Sequence, residues 1–311
     1  VPVCSKDLIP EEVVKTKLLP SKRSTVAAGV SASATLLTAA LVLSVPVLNA
    51  EPVDDKLVID EELEMTTRAA PPEGHPLKEV ISGWHYRTPE TRALEADSFQ
   101  NPGMLGVEQG EEIWNTVDGT EGKSCASCHD DAAVSMKGIG ASYPKWNEAS
   151  GRPINIELQI NQCRVENMGA EAYKFDKGGQ KPLTAYIKHQ SLGMPVSLNL
   201  DEGDMKTWLD KGKEIYYKRT GQLNLSCASC HEKNNGKYIR ADHLSQGNVN
   251  GFPTYRLKQG TLISTHNRFR GCIRDTRAEF PKAFSDPLMA LELYVTWRGT
   301  GLSVETPGVR Q

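Results

Sequence analysis

The hexapeptide SCASCH occurs twice, at residues 124–129 and 226–231, and constrains the fold more than any other feature of the chain. Each copy contains CxxCH, the spacing through which two thiols add to the vinyl groups of a haem and the following histidine ligates its iron. A tethered macrocycle fills the middle of a domain, so about 100 residues can close around it with little apolar core of their own. A CxxC pair can also be a redox disulfide or half of a zinc site. Two copies in matching surroundings favour haem c at each: Cys125 and Cys128 with His129, then Cys227 and Cys230 with His231.

The surroundings do match. GEEIW at 110–114 corresponds to GKEIY at 212–216, and both this pair and the hexapeptides lie 102 residues apart. Cys163 and Cys272 are separated by 109, while LTAYIKHQSLGMPV at 183–196 and LELYVTWRGTGLSV at 291–304 are separated by 108. Ordered matches with a drift of one loop insertion imply an internal duplication, and two units are too few for a solenoid. The expected fold is mainly α, with two tandem cytochrome c-type domains at 78–204 and 205–311, each built around a covalent haem. Apolar spacing predicts helices in EQGEEIWNTV, DKGKEIYYKR, TAYIKHQS and MALELYVTW, joined by long loops rich in Gly, Asn and Pro.

Upstream of the repeat, residues 51–77 are rich in Pro and acidic residues and predict an extended arm or surface strap. Residues 24–50 carry no charge, follow Lys22 and Arg23, and end in Ala50, the layout of a cleaved secretory signal. A membrane anchor is the alternative, disfavoured by the small residues of the first half of that stretch. Residues 1–50 are therefore expected to be an upstream extension and signal peptide, which leaves Cys4 without a role. The mature chain would be periplasmic, with no stable membrane span. It would keep 31 Lys and Arg against 36 Asp and Glu, a balance that gives no basic face for nucleic acid.

The distal iron ligands follow from the repeat. Met194 lies in suitable surroundings after the first hexapeptide, but its counterpart is Leu302. Cys163 and Cys272 are shared by both halves, which favours a His/thiolate pair at each haem and low reduction potentials. A Cys163–Cys272 disulfide is the alternative that an oxidising compartment permits. Around Cys272 the sequence THNRFRGCIRDTR places Arg268, Arg270, Arg274 and Arg277 near one thiol, with Arg268 one helical turn before it. Positive charge lowers a thiol pKa and attracts a small dianion, so Cys272 is the expected reaction centre. Arg270, Arg274 and Arg277 fit a solvated turn or haem propionates better. His75, His85, His189, His243 and His266 have no ligand spacing to one another, though His266 borders the arginines.

These residues resemble the A subunits of the SoxAX cytochromes of bacterial sulfur oxidation. The resemblance rests on the two SCASCH sites, INQCR at 160–164, GFPTYRLK at 251–258 and HNRFRGCIRDTR at 266–277, over residues 78–311. It implies two covalent haems c, a SoxX-type monohaem partner, and conjugation of thiosulfate to a cysteine of a SoxYZ-type carrier protein. By motif it assigns Cys163 as distal ligand of the first haem, Cys272 as distal ligand of the second and active-site cysteine, and Arg268 as substrate-binding residue. Monohaem members lack the first haem site and carry a disulfide in its place. Two rival functions remain: a plain dihaem electron carrier, which leaves the arginines unexplained, and a dihaem peroxidase, which equivalent cysteines at both haems argue against.

Overall fold

The structure, a computed structural model, describes residues 55–311; Cys4, the signal segment and the start of the arm lie outside the described residues. Each half is organised by a pair of crossing helices. In the first half α1 (Met104–Asn115) ends nine residues before the hexapeptide, whose helix α2 (Ala126–His129) follows its first cysteine; α3 (Ile156–Met168) and α4 (Gln180–His189) come next. The second half repeats the order with α5 (Met205–Tyr217), α6 (Cys227–His231), α7 (Thr265–Asp275) and α8 (Asp286–Arg298). The four helices expected from apolar spacing are α1, α4, α5 and α8, each longer than its sequence signal.

Glycine permits the crossings. A Cβ on Gly110 would lie 2.3 Å from the Pro182 carbonyl oxygen, and one on Gly212 would lie 2.0 Å from that of Ala290. The neighbouring side chains are Tyr186 and Tyr294, which occupy the same place on α4 and α8. Around the crossings lie two apolar cores, one holding Trp114, Ile160, Leu183 and Tyr186, the other Tyr216, Leu288, Leu291 and Tyr294. At an open helical position Gly→Ala stabilises by about 0.5–1 kcal/mol. At position 212 the obstacle is backbone, so the sign should reverse: Gly212→Ala is expected to cost roughly 1–3 kcal/mol net, read as a lower denaturation midpoint of the holo-protein.

Before each cysteine-bearing helix runs a short hairpin: β1 (Lys145–Asn147) with β2 (Arg152–Ile154), and β3 (Thr254–Arg256) with β4 (Thr261–Ile263). β5 (Val309–Arg310) returns from the C-terminus to pair in parallel with β3, placing Arg310 beside Arg256. The described part of the arm forms two-residue strands, buries Leu57 and Met65 against Trp84, and exchanges 2.9 Å hydrogen bonds between Thr66 and Ser303 in both directions. Among the described residues no helix is long and apolar enough to cross a membrane.

A buried polar seam joins the halves. The N-cap of α3, Asn155, donates to Glu292 of α8 at 2.9 Å, and His266 in the first turn of α7 lies 3.0 Å from the same carboxylate oxygen. His266 Nδ1 accepts the Phe284 N–H, so its proton sits on Nε2, facing Glu292. Glu157 is buried nearby; desolvation and then Glu292 push its carboxyl up to about 7. Lys188 of α4 completes the group, its ammonium disfavoured by burial and supported by Glu157 and Glu292.

Candidate functional site

Serine makes the hexapeptide a helical turn. In the second copy Ser226 Oγ accepts from the Ser229 N–H and Ser229 Oγ accepts from the Ser226 N–H, a reciprocal cap at 3.2 and 3.1 Å. Ser124 and Ser127 make the same exchange in the first copy. Cys227, Cys230 and His231 thereby stand at i, i+3 and i+4, on one helical face. Both thiols and the imidazole of each motif are presented together by two hydroxyls that touch none of them.

The His231 ring is held in one tautomer. Its Nδ1 lies 2.8 Å from the Ser245 carbonyl, which can only accept, so Nδ1 carries the proton and Nε2 keeps its lone pair. Gly247, at φ +80°, lies flat against the ring: a Cβ there would come 2.8 Å from His231 Cγ. The backbone of 245–247 is thus a cradle for an oriented imidazole, within electrostatic range of Cys272 on α7. An imidazole Nε2 with its lone pair free, directly after two thiols at CxxC spacing, is the donor set that haem c attachment requires.

Charge singles out one thiol. Burial and then the nearby Cys272 push Cys227 up to about 12 and also raise Cys230, while burial raises Cys125. Burial opposes ionisation of Cys272 as well, but the Arg268 guanidinium, the largest influence against it, brings the thiol down to about 7. Of the four arginines only Arg268 faces it, one turn away on α7. Arg270 lies over the Phe175 and Phe280 rings, while Arg274 and Arg277 are exposed. His266, flagged by its position in the sequence, belongs to the seam.

The first half repeats the geometry without the charge. Cys163 is the eighth residue of α3, as Cys272 is of α7, and both helices are capped by the preceding residue, Asn155 or Ser264. Four residues before Cys163 stands Gln159, whose amide donates to the sulfur at 3.5 Å. Its counterpart four residues before Cys272 is Arg268. Arg164, beside Cys163 in sequence, is turned away to Asp118 and Tyr173. Met194 packs against Ala141, Val196 and Val304. All six described cysteines are free, including Cys163 and Cys272, and no group of three or more His, Cys, Asp and Glu among the described residues is arranged to hold a metal ion by itself.

Two further arginines escaped the sequence reading. Arg256, inside the GFPTYRLK segment, and Arg87, with no motif to flag it, lie within electrostatic reach of Arg268. Arg87 is tied to backbone carbonyls of Gly83 and His243, whereas Arg256 has no side-chain hydrogen bond or ion pair among the described residues.

Comparison with known proteins agrees with this architecture. Residues 109–196 match the family model of the SoxA/TsdA cytochrome c domain. The L-cysteine S-thiosulfotransferase subunit SoxA of Pseudaminobacter salicylatoxidans is 71% identical over 263 residues, covering 85% of this chain and 92% of that protein. The subunit of the same name from Rhodovulum sulfidophilum is 51% identical, covering 83% and 90%. The solved structure of SoxXA from P. pantotrophus superposes with a TM-score of 0.80 at 47% identity, covering 84% of this chain and 100% of that one.

Proposed function

The chain belongs to the SoxA family of L-cysteine S-thiosulfotransferase subunits, and from that premise we propose that Cys272 is the sulfur on which thiosulfate is oxidatively captured. The observation that carries the reading is the Arg268 guanidinium one helical turn before Cys272, which biases that thiol toward its anion against its burial. Arg268 holds the sulfonate oxygens of thiosulfate by charge-assisted hydrogen bonds. The Cys272 thiolate and the terminal sulfur of thiosulfate form an S–S bond as two electrons leave for a SoxX-type partner cytochrome. A thiolate of a SoxYZ-type carrier then attacks that terminal sulfur, taking the S-sulfonate group and returning Cys272 as thiolate.

The cofactor is haem c, and we read one group at each hexapeptide: Cys125, Cys128 and His129 hold the first, Cys227, Cys230 and His231 the second. Bound haem would supply one-electron iron chemistry and a Lewis acid for the sulfurs of Cys163 and Cys272. Cys163 and Cys272 are its distal ligands in this reading, the two halves are copies of one cytochrome c-type unit, and the mature protein works in the periplasm. A plain electron carrier would need the same hexapeptides but neither Arg268 nor an ionisable Cys272.

The experiment is thiosulfate-dependent conjugation to the carrier by purified holo-protein with its partner, on material whose intact mass reports two covalent haems. Haem reduction without conjugate would leave the carrier function standing alone. For the ligands, Met194→Leu should leave both low-spin haem signals in electron paramagnetic resonance unchanged, while Cys163→Met should shift one. A changed spectrum in Met194→Leu would remove Cys163 from the first iron.

A further inference from the structure

Arg256 is the last residue of β3, at the same place in its hairpin as Asn147 at the end of β1. Both stand 16 residues before the cysteine of the following helix. Asn147 is satisfied locally: its amide donates to Gln162 and its oxygen accepts from the Ser150 N–H and hydroxyl. Arg256 is half-buried, its Nε is sealed from solvent without a partner, and no carboxylate pairs with it among the described residues. Arg268 likewise has no ion pair there, although Cys272 lies within reach of both guanidiniums.

Two neutral amides in the first half, Asn147 and Gln159, are therefore two guanidiniums in the second, Arg256 and Arg268, and both exchanges fall around one thiol. Their surroundings add positive charge. Arg87 stands behind them, driven down to about 10 by burial and by Arg310, Arg256 and Arg268. Arg310 is neutralised by Glu95 and Glu305. Asp242 is the acid that acts on both Arg87 and Arg256, and it is shared with Lys258 at 3.9 Å. Like charges are gathered at such a cost only where an anion completes the group.

We infer that Arg256 is a second oxyanion-binding residue of the active site, gripping with Arg268 the sulfonate end of a small sulfur dianion while its terminal sulfur meets Cys272. This rests on the reading of Cys272 as the reacting sulfur. A haem carboxylate offers the same planar oxygen chemistry, but a haem-holding role would call for a cation in both halves, and the first half has an asparagine.

The test uses oxidised holo-protein carrying Cys272→Ser, in which binding is measured without turnover by calorimetric titration with thiosulfate and, separately, with sulfate as an unreactive dianion. Adding Arg256→Gln should weaken both affinities about tenfold, and Arg256→Lys should recover part of the loss. The haem spectra should stay as in the parent, and Arg256→Lys, which keeps the charge, should leave the second haem's potential in place. Affinities within twofold of the parent in both variants would overturn the assignment. So would unchanged affinities with a displaced potential in Arg256→Lys, which would give Arg256 to a haem carboxylate. The underlying reading fails on a different measurement, conjugation surviving in Cys272→Ser.

Discussion

Replacing Cys272 with serine is expected to abolish thiosulfate conjugation while both haems stay attached. Serine keeps the size and place of the side chain on α7, but its hydroxyl stays protonated near neutral pH and forms no stable bond to sulfur. No other described thiol can substitute. In the proposed reading Cys125, Cys128, Cys227 and Cys230 are consumed as thioethers, and Cys163 sits beside the neutral Gln159. Removing a covalent nucleophile costs on the order of a thousandfold or more in turnover. The measurement is carrier mass after incubation with thiosulfate and partner, alongside the intact mass of the variant. Conjugation within tenfold of wild type would move the reaction off this sulfur.

The second large effect belongs to Arg268. A charge-assisted hydrogen bond to a dianion in a partly desolvated pocket contributes roughly 1.5–3 kcal/mol, so Arg268→Ala should lower kcat/KM about tenfold to a hundredfold. The Arg268 charge also helps bring Cys272 to about 7. Its removal should therefore displace the lower limb of the pH–rate profile upward, because burial then acts on the thiol with less opposition. Arg268→Lys restores charge without the planar fork and should recover only part of the loss. Arg277→Ala is the control: exposed beyond the end of α7, it should change kcat/KM by less than about threefold. Equal losses at 268 and 277 would mean a diffuse basic patch, decided by steady-state conjugation with carrier and partner present.

Much of this site is legible in the sequence because covalent haem attachment demands a rigid local spacing. CxxCH and its repetition mark the proposed attachment points, the shared cysteines mark two equivalent thiols, and the arginines beside Cys272 set it apart without any knowledge of the fold. Four crossing helices are equally legible, since Gly and aromatic residues recur along matching apolar stripes. Residues that act through strand register or backbone are not. Arg256 comes within electrostatic range of Cys272 through the folding of the β3–β4 hairpin, and nothing in GFPTYRLK encodes that approach. Ser245 contributes a carbonyl and Gly247 an absent side chain, neither of which has a residue-type signature. The arginine cluster is sorted by helical spacing: four cations close in sequence radiate around α7, and the one at i−4, Arg268, is the one whose charge acts on the thiol.

The seam beneath the two cysteine helices bears on how a family of this kind can shed a cofactor. Asn155 caps the helix that carries Cys163, yet its side chain serves Glu292 and, through it, His266 at the foot of the helix that carries Cys272. A descendant without the first haem could lose His129 and re-use Cys125 and Cys128 without disturbing that foundation. It could not delete the first half outright, because Glu292 would then be left buried without the amide that Asn155 donates to it. Once its iron is gone, the first half survives as masonry: the redox centre is dispensable, and the polypeptide that surrounded it becomes a permanent footing for the active site next door.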